Sequence, residues 1–366
     1  MISLNNNICK LSILYSFILL LSCKGSPEPE VSVEQTYIVI NEKESLDFTL
    51  DITANVSLVF DLPVWIREKT AAGGKTYSFQ ADPLPDGVDS RTGNLLIKYA
   101  GKSITVPVKQ IRDVCMLRVA TYNVYYTDWQ SRATMVNNLI RQYDFDIFGV
   151  QEAYYNPHLI DLTGDGVYAY TGQGRDGGTN NEHSAILYKK ARFELLSSGD
   201  FWFSTTPDKA SVGWDAELRR ICSWGKFREK DSKREFYFFN SHFDHKGENA
   251  RSESARLLLD KIKTIAGNNM PVFATGDYNA EPHWPEIQTL QNDGLLKDAY
   301  FQTEKTPYGT FETAHGFNPP NPSSSHRIDY IFVTKDIRIK EYGVLNDRPN
   351  GQYPSDHDPV LVVAEF

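Results

Sequence analysis

The alternation of hydrophobic and polar positions divides the chain into two regions with different predicted elements. Between about residues 31 and 112, short alternating runs predict β-strands, because successive side chains of a strand point to opposite faces. Turn-rich breaks, such as residues 72–74 and 82–87, separate these runs. Regular short strands with turns between them predict a small all-β sandwich of the immunoglobulin-like kind. The predicted strands are 36–40, 46–52, 57–60, 76–81, 94–99 and 104–109.

From about residue 113 the pattern changes to strands that alternate with amphipathic helices. Apolar residues at helical spacing predict one helix over 131–142, with Met135 and Leu139 on its inner face, and another over 249–266, with Leu258 inward. Strands outnumber helices and several are adjacent, which favours two sheets flanked by helices over one doubly wound sheet. The predicted strands are 117–122, 146–150, 184–188, 193–196, 221–227, 235–240, 272–275, 329–333 and 360–365.

The first residues have the pattern of an export signal. Lys10 precedes the apolar run 11–21, which is too short to span a bilayer but fits the core of a signal peptide. The sequence Leu-Leu-Ser-Cys that ends at Cys23 resembles a bacterial lipoprotein cleavage box, in which the cysteine is lipidated. The polar tether 26–30 behind it makes an uncleaved buried helix the weaker alternative. We therefore expect an exported protein that is lipid-anchored to a bacterial membrane, on the periplasmic side or at the cell surface.

Charge and cysteine content narrow the classes of partner. The 47 acidic residues exceed the 38 basic ones, which gives a formal net charge of −9. Duplex DNA binding draws much of its affinity from cationic contacts to phosphate, so a dedicated DNA-binding surface is not expected. A local basic groove on the acidic protein is the alternative. Cys115 and Cys222 remain beyond the signal, and two cysteines are too few for a disulfide scaffold.

The strongest chemical signal is the stretch PVFATGDYNA at residues 271–280. A short apolar strand ends at Gly276, and Asp277 and Asn279 follow two residues apart, so both can project into one cavity. A carboxylate can orient or deprotonate a nucleophile, and a neutral amide can hydrogen-bond an anionic oxygen, which together suit attack on a phosphate. The structural alternative is an Asp/Asn turn after a strand.

Other polar residues stand at the ends of other predicted strands. Each one alone has a structural explanation as a cap, a turn residue or a buried histidine. Six such positions in order are difficult to explain by structure alone. They are Asn123, Glu152, His242, the Asp277 and Asn279 pair, Asp329, and the Asp356 and His357 pair.

These motifs resemble those of the endonuclease/exonuclease/phosphatase superfamily, whose fold is that of deoxyribonuclease I. The resemblance spans 113–366 and implies a four-layer α/β/β/α sandwich. The segments around Trp202, Trp214 and 220–224 resemble a bacterial branch of the family. The matching motifs are Ala-Thr-Tyr-Asn ending at Asn123, Gln-Glu ending at Glu152, Asn-Ser-His ending at His242, Gly-Asp-Tyr-Asn-Ala at 276–280, Arg-Ile-Asp-Tyr at 327–330 and Ser-Asp-His at 355–357.

The smaller region resembles a BACON domain. Trp65 after a Leu-Pro pair, and the segments 90–96 and 103–110, carry this resemblance. It implies a contact with glycan through residues 31–112, and a simple spacer between membrane and enzyme is the alternative. The predicted organisation is a signal peptide at 1–22, a tether at 23–30, the β-sandwich at 31–112 and the large domain at 113–366.

The superfamily resemblance also implies a cofactor and residue roles. Glu152 would be the principal Mg²⁺ ligand, with Mn²⁺ able to substitute, and Asn123 would bind or orient nearby. Asp277 would position or deprotonate the attacking water, and Asn279 would hold a phosphoryl oxygen. Magnesium prefers oxygen ligands, keeps several waters and takes few protein carboxylates, which fits so sparse a site.

Two histidines complete the implied chemistry. His357, oriented by Asp356, and His242, hydrogen-bonded to Asp329, would act in proton transfer and phosphate contact, since an unperturbed histidine pKa of about 6.5 suits both roles. The sequence leaves open which histidine is the acid. The predicted substrate-contacting residues are Arg220, Trp224 and Tyr278.

Three functions remain open at this point. The favoured one is a magnesium-dependent phosphoester hydrolase, a phosphodiesterase or a phosphatase, that acts on a small-molecule, lipid or glycan phosphate. The second is a secreted nuclease that acts on DNA or RNA. The third is a glycan-binding surface lipoprotein with a catalytically silent large domain, which the intact polar set argues against.

Overall fold

The computed structural model describes residues 28–42, 45–69, 75–85, 88, 90–112, 115–319, 321, 324 and 326–366. The predicted signal peptide and Cys23 lie outside these residues. The chain divides into two compact units, Met1–Arg112 and Asp113–Phe366, and each is described by itself. Among the described helices, none has the length and apolar character needed to cross a membrane.

The described part of the first unit consists of strands in two four-stranded sheets. The strand orders are β1-β3-β6-β5 and β2-β8-β7-β4, and their inward side chains, among them Leu50, Phe79 and Leu95, form one core. The described residues of the first unit are therefore all-β, as predicted, while the immunoglobulin-like topology stays a prediction. Its strands are β1 (Val31–Val33), β2 (Ile38–Asn41), β3 (Asp47–Ala54), β4 (Val59–Asp61), β5 (Ile66–Glu68), β6 (Thr76–Ala81), β7 (Ser90–Tyr99) and β8 (Lys102–Ile111).

The second unit contains strands and helices. Its strands are β9 (Met116–Asn123), β10 (Ile147–Gln151), β11 (Ala153–Tyr154), β12 (Tyr168–Thr171), β13 (Glu182–His183), β14 (Ile186–Lys189), β15 (Phe193–Trp202), β16 (Ile221–Glu229), β17 (Glu235–His242), β18 (Val272–Asp277), β19 (Leu296–Asp298), β20 (Asp329–Thr334), β21 (Arg338–Val344) and β22 (Val360–Glu365). Its helices are α1 (Trp129–Gln142), α2 (Ile160–Thr163), α3 (Glu248–Ile265), α4 (Pro285–Asn292) and α5 (Ala299–Gln302), with short helical turns at Tyr155–Leu159 and Pro349–Gly351.

Most of these strands form two six-stranded sheets. The first sheet has the order β12-β14-β10-β9-β22-β21, and the second has the order β15-β16-β17-β18-β20-β19. Each sheet has one parallel pair at its centre, β9 with β10 and β17 with β18. The carboxyl ends of a parallel pair lie at the same edge of a sheet, so these four strands end in neighbouring positions.

Three hydrophobic layers hold the sheets and helices together. Between the sheets, Val119 and Ile147 of the first pack with Phe238 of the second. On the outer faces, helix α1 covers the first sheet through Val136, and helix α3 covers the second through Leu258. The second unit is thus the four-layer sandwich that the superfamily resemblance implies.

Both predicted helices are present, with shifted ends and one shifted face. The structure starts α1 at Trp129 and runs α3 from Glu248 to Ile265. Leu139 is buried as predicted, but Met135 is only partly buried, and Val136 lies on the inner face in its place. The apolar face is set by Trp129 and Val136, seven residues apart, and that spacing leaves Met135 at its border.

Candidate active site

The site lies where the central strands of both sheets end. Asn123 pairs in register with Gln151, the residue before Glu152, and His242 pairs with Asp277. These strand ends open onto a cavity of about 450 Å³. The residues that line it are Tyr126, Glu152, Tyr154, Arg175, Glu182, Leu218, Arg220, His242, His245, Asp277, Asn279 and His357.

Four fully buried polar residues connect the sheets directly behind this cavity, and we call them the inter-sheet polar cluster: Thr121, Gln151, Asn240 and Thr275. The Asn240 amide nitrogen donates to the carbonyl oxygens of Val150 and Ala185, both at 2.9 Å. Its amide oxygen accepts from Gln151 Nε2 at 2.7 Å and from Thr275 Oγ1 at 3.0 Å. All four hydrogen bonds that an asparagine amide can make are therefore formed.

The cluster explains how the two halves of the site meet. Side chains two residues apart in a strand share one face. Thr121 therefore lies on the same face as Asn123, Asn240 on the same face as His242, and Thr275 on the same face as Asp277, in each case between the sheets. Hydrogen bonds that cross from sheet to sheet fix these strand ends relative to one another.

Glu152, Asn123 and Asp277 form the part of the site that suits a metal ion. The Asn123 amide nitrogen lies 3.0 Å from both Glu152 Oε1 and Asp277 Oδ2. Two carboxylates from different sheets thus converge on one amide group. Glu152 adopts a left-handed backbone with φ of 59°, and the backbone N–H of Tyr126 donates to its Oε2 at 3.3 Å. The Glu152 and Asp277 carboxylates are hard oxygen donors that fit a divalent cation such as Mg²⁺, and the Asn123 amide group, whose Oδ1 accepts from the Tyr125 backbone N–H at 3.1 Å, orients both.

A second group of possible ligand atoms lies beside it. Oxygen and nitrogen atoms of Asp277, Asp329 and His357 lie within 4.8 Å of one another. His357 Nδ1 already makes a 2.8 Å hydrogen bond to Asp329 Oδ2, so this nitrogen is committed to the carboxylate. Asp277 thus belongs to both groups, and the hydrogen-bonded pair of Asp329 and His357 beside it is suited to proton transfer.

Asp277 is buried and closely surrounded. Its Oδ1 accepts from the backbone N–H of Asn279 at 2.9 Å, and its Oδ2 lies 3.6 Å from His242 Nε2. Burial, reinforced by the neighbouring Asp329 carboxylate, raises the pKa of Asp277 to about 7. A carboxylate with such a pKa is suited to accept a proton near neutral pH.

The predicted partners of the two histidines were wrong. Asp329 lies opposite Asp277 in the β18–β20 pairing and binds His357, not His242. The Asp356 carboxylate accepts instead from the hydroxyl of its neighbour Ser355 at 3.3 Å. The sequence places Asp356 next to His357, but only the strand pairing determines which acid the imidazole ring meets.

The two imidazoles have opposite electrostatic surroundings. Burial, together with the positive charge of Arg220, holds the pKa of His242 well below its ordinary value. Burial also acts to lower the pKa of His357, but the Asp329 carboxylate outweighs it and raises that pKa well above the ordinary value. His242 is therefore neutral and His357 carries a proton near neutral pH.

The predicted substrate residues have three different positions. Arg220 lines the cavity, and its guanidinium lies 2.9 Å from His245 Nδ1. Tyr278 is fully buried against Phe243, so its predicted contact with substrate was wrong. In the run from Asp277 to Asn279 the outer two residues face the cavity, and the residue between them faces the opposite side. Trp224 packs over Gly199, away from the residues that line the described cavity.

Half of the residues that line the cavity were not predicted from the sequence. His245 had a usable signal, because it follows His242 at a spacing of three in His-Phe-Asp-His. The others lie on loops and on the two-stranded β11–β13 ribbon, for which no strong pattern exists. The missed residues are Tyr126, Tyr154, Arg175, Glu182, Leu218 and His245.

Comparisons with known proteins agree with this architecture. The profile of the Endonuclease/Exonuclease/phosphatase family matches residues 120–357. A solved structure of a protein of that family from Bacteroides thetaiotaomicron is 40% identical, with a TM-score of 0.66, over 69% of this chain and 96% of that one. The structure of a mannosyl-6-phosphatase from the same organism is also 40% identical, with a TM-score of 0.65, over 68% of this chain and all of that one.

A curated relative is more distant. Nocturnin of Drosophila melanogaster is 25% identical over 281 residues, which is 63% of this chain. The matched segment spans 41% of Nocturnin.

Proposed function

The chain belongs to the endonuclease/exonuclease/phosphatase family, whose members are phosphoester hydrolases, and we propose that it is a magnesium-dependent hydrolase of a small-molecule, lipid or glycan phosphate. The observation that carries the proposal is the convergence of Glu152, Asp277, His242 and His357 on one cavity. The resemblance to a mannosyl-6-phosphatase supports a phosphorylated sugar as the first substrate to test.

Asp277 is the residue best placed to activate water. Its carboxylate is oriented by the Asn279 backbone and the Asn123 amide, so the side chain is fixed before substrate arrives. The raised pKa allows Asp277 to take the proton of an attacking water near neutral pH.

His357 and His242 have different roles in this mechanism. His357 is protonated and its Nε2 lies 4.0 Å from Asp277 Oδ2, so it can offer positive charge and a proton to phosphoryl or leaving oxygen. His242 is neutral, and it offers a hydrogen bond without a charge. Asn279 is held by a 3.1 Å hydrogen bond from its Nδ2 to the carbonyl oxygen of Phe243, and it can contact a phosphoryl oxygen.

Family enzymes typically use divalent metals, and Glu152 with Asn123 would hold the ion here. A bound cation would shield the negative charge of the phosphoryl group. The chain's own contribution is the Glu152 carboxylate at the cavity and the Asn123 amide group behind it, which hydrogen-bonds both Glu152 and Asp277.

The test is hydrolysis by the full chain with and without magnesium. We expect release of phosphate from mannose 6-phosphate and from para-nitrophenyl phosphate, and loss of both activities with a chelator. Asp277→Ala should remove activity, whereas Asp260→Asn, on the exposed face of α3, removes the same charge and should not. Full activity in chelator, or in Asp277→Ala, would contradict the proposal.

A further inference from the structure

The wall of the cavity contains a buried ion pair that the proposed chemistry does not use. Arg175 Nη1 lies 2.9 Å from Glu182 Oε2, and the two side chains are 11% and 12% exposed. Burying two charges is costly unless each is satisfied, so a pair at the wall of an open cavity requires an explanation.

The pair is held rigidly. The backbone N–H of Arg175 donates to the Glu182 carbonyl at 2.8 Å, and the indole N–H of Trp202 donates to the Arg175 carbonyl at 2.7 Å. Glu182 lies on strand β13, opposite Tyr154 of strand β11. Directly opposed residues of two strands point to the same face, so an aromatic ring and the ion pair line the cavity side by side.

The two arginines that line the cavity are each paired with a carboxylate. Arg175 is paired with Glu182, and Arg220 is paired with Asp244, whose Oδ2 lies 3.4 Å from Arg220 Nε. Each guanidinium thus has its own carboxylate. A second anionic group of a substrate would lie near the Glu182 carboxylate. Neither arginine would be unpaired to offset the repulsion, and bringing like charges together lowers the affinity.

A neutral hydroxyl group fits this wall better than an anion. A hydroxyl both donates and accepts hydrogen bonds, and the pair presents a donor and an acceptor at a fixed distance. Tyr126 and Tyr154 also line the cavity, and their rings are 6.4 Å apart. Aromatic faces add apolar contact for the carbon side of a ring-shaped group.

We propose that Arg175 and Glu182 form the leaving-group subsite and select monoesters of a neutral, hydroxyl-rich group, such as a sugar with one phosphate, over substrates that carry a second phosphate. This inference rests on the proposed phosphoester hydrolase activity. It excludes polyanionic substrates, among them sugar bisphosphates and oligonucleotides.

The test compares two substrates that differ only in a second phosphate. The full chain is assayed with magnesium on mannose 6-phosphate and on mannose 1,6-bisphosphate, at about pH 8 so that carboxylates are ionised. Wild-type kcat/KM should be at least about tenfold higher for the monophosphate, a difference of about 1.4 kcal/mol. Para-nitrophenyl phosphate reports whether the protein hydrolyses phosphoesters at all.

Two variants should move this ratio in opposite directions. Glu182→Gln leaves the Arg175 guanidinium unpaired and should reduce the preference for the monophosphate by roughly tenfold. Arg175→Gln leaves the carboxylate unpaired and should increase the preference. Glu194→Gln is the matched control, because Glu194 makes a comparable 3.1 Å pair with Arg228 on the surface, and it should leave the ratio unchanged.

The outcomes separate the two proposals. If no ester is hydrolysed, para-nitrophenyl phosphate included, the proposed function fails. If that ester is hydrolysed but wild-type protein turns over the bisphosphate or an oligonucleotide as well as the monophosphate, the subsite inference is overturned. Shifts of the same sign in both variants would overturn it too. The wild-type ratio decides the matter even where a variant does not fold.

Discussion

At the scale of single residues, Asp329 contributes more to the charge of His357 than the other two nearby acids, Asp277 and Asp356. Asp329 binds His357 Nδ1 at 2.8 Å and raises the pKa of the ring against the opposing effect of burial. Asp329→Asn keeps the shape of the side chain but removes its charge, so the pKa of His357 should fall. We expect the alkaline limb of the pH–rate profile to move to lower pH and turnover to fall about 10²-fold or more. NMR titration of the His357 ring would measure the shift directly, and an unchanged titration would show that another group sets its charge.

A second histidine predicts how stability depends on pH. His158 is buried against the Trp129 ring, 4.3 Å away between centroids, and burial lowers its pKa to about 4. His158 therefore takes up its proton at lower pH in the folded protein than in the unfolded chain, where a histidine titrates near pH 6.5. The free energy of unfolding should decrease as the pH falls from about 6.5 to about 4, because the unfolded chain binds the proton first. The loss is at most about 3 kcal/mol, from the size of the shift.

The matched variant for this prediction is His158→Phe, which keeps an aromatic ring beside Trp129. Urea unfolding of both proteins across that pH range should show the decrease in the wild type and a smaller one in the variant. Equal pH dependence in both proteins would show that other groups cause it.

The residues of the site were easier to predict than their partners. Asp277, Glu152 and His242 stand at the ends of apolar strands and His357 stands just before the last strand, and that local pattern is visible in the sequence. The pairing of Asp329 with His357 depends on which strands lie side by side, and local spacing does not contain that information. For the same reason Arg175 and Glu182 escaped prediction, since they meet across a loop and a short ribbon.

At the scale of elements, the inter-sheet polar cluster should be a main determinant of stability. Asn240→Ala removes four hydrogen bonds, two of them to the carbonyl oxygens of Val150 and Ala185, and the Ala185 oxygen keeps its 2.9 Å bond from the Val150 backbone N–H. A hydrogen bond contributes about 0.5–1.5 kcal/mol net, so we expect the loss of four to lower the free energy of unfolding by about 2–6 kcal/mol. Chemical denaturation of the variant and the wild type would measure this difference.

A milder variant serves as the control for this prediction. Thr275→Val removes a single O–H donor, whose oxygen lies 3.0 Å from Asn240 Oδ1 and 3.3 Å from the Phe239 carbonyl oxygen. It should cost less than Asn240→Ala. If Thr275→Val proves the more harmful of the two, Asn240 is not the centre of the cluster.

Long periodic elements were predictable, whereas short ones were not. The helix Glu248–Ile265 has five turns of apolar periodicity, and its predicted ends differ by one residue from those of the structure. The helix Pro285–Asn292 has only eight residues, with Ile287 and Leu290 inward, and was missed. Two inward residues do not define a period, so tertiary packing decides whether such a segment is helical.

At the scale of the whole molecule, we propose that lipidation of Cys23 anchors the protein to a membrane. The support is the Leu-Leu-Ser-Cys motif and the polar tether that follows it. The protein should fractionate with membranes, and Cys23→Ser should release it or block its processing. Cys222→Ser, a change at a buried thiol of the large unit, tests whether the loss of any cysteine has the same effect. Unchanged membrane association of Cys23→Ser would contradict the proposal.

The central claim is that Glu152 holds a catalytic metal while Asp277 activates water, and a magnesium titration of two variants tests it most directly. Glu152→Gln should lower the affinity for magnesium, so excess magnesium should restore part of its rate. Asp277→Asn should lose about 10²–10⁴-fold in turnover, the range typical for a positioned acid or base, and added magnesium should not restore it. Near-normal turnover in either variant, or equal recovery of both with magnesium, would contradict this division of roles.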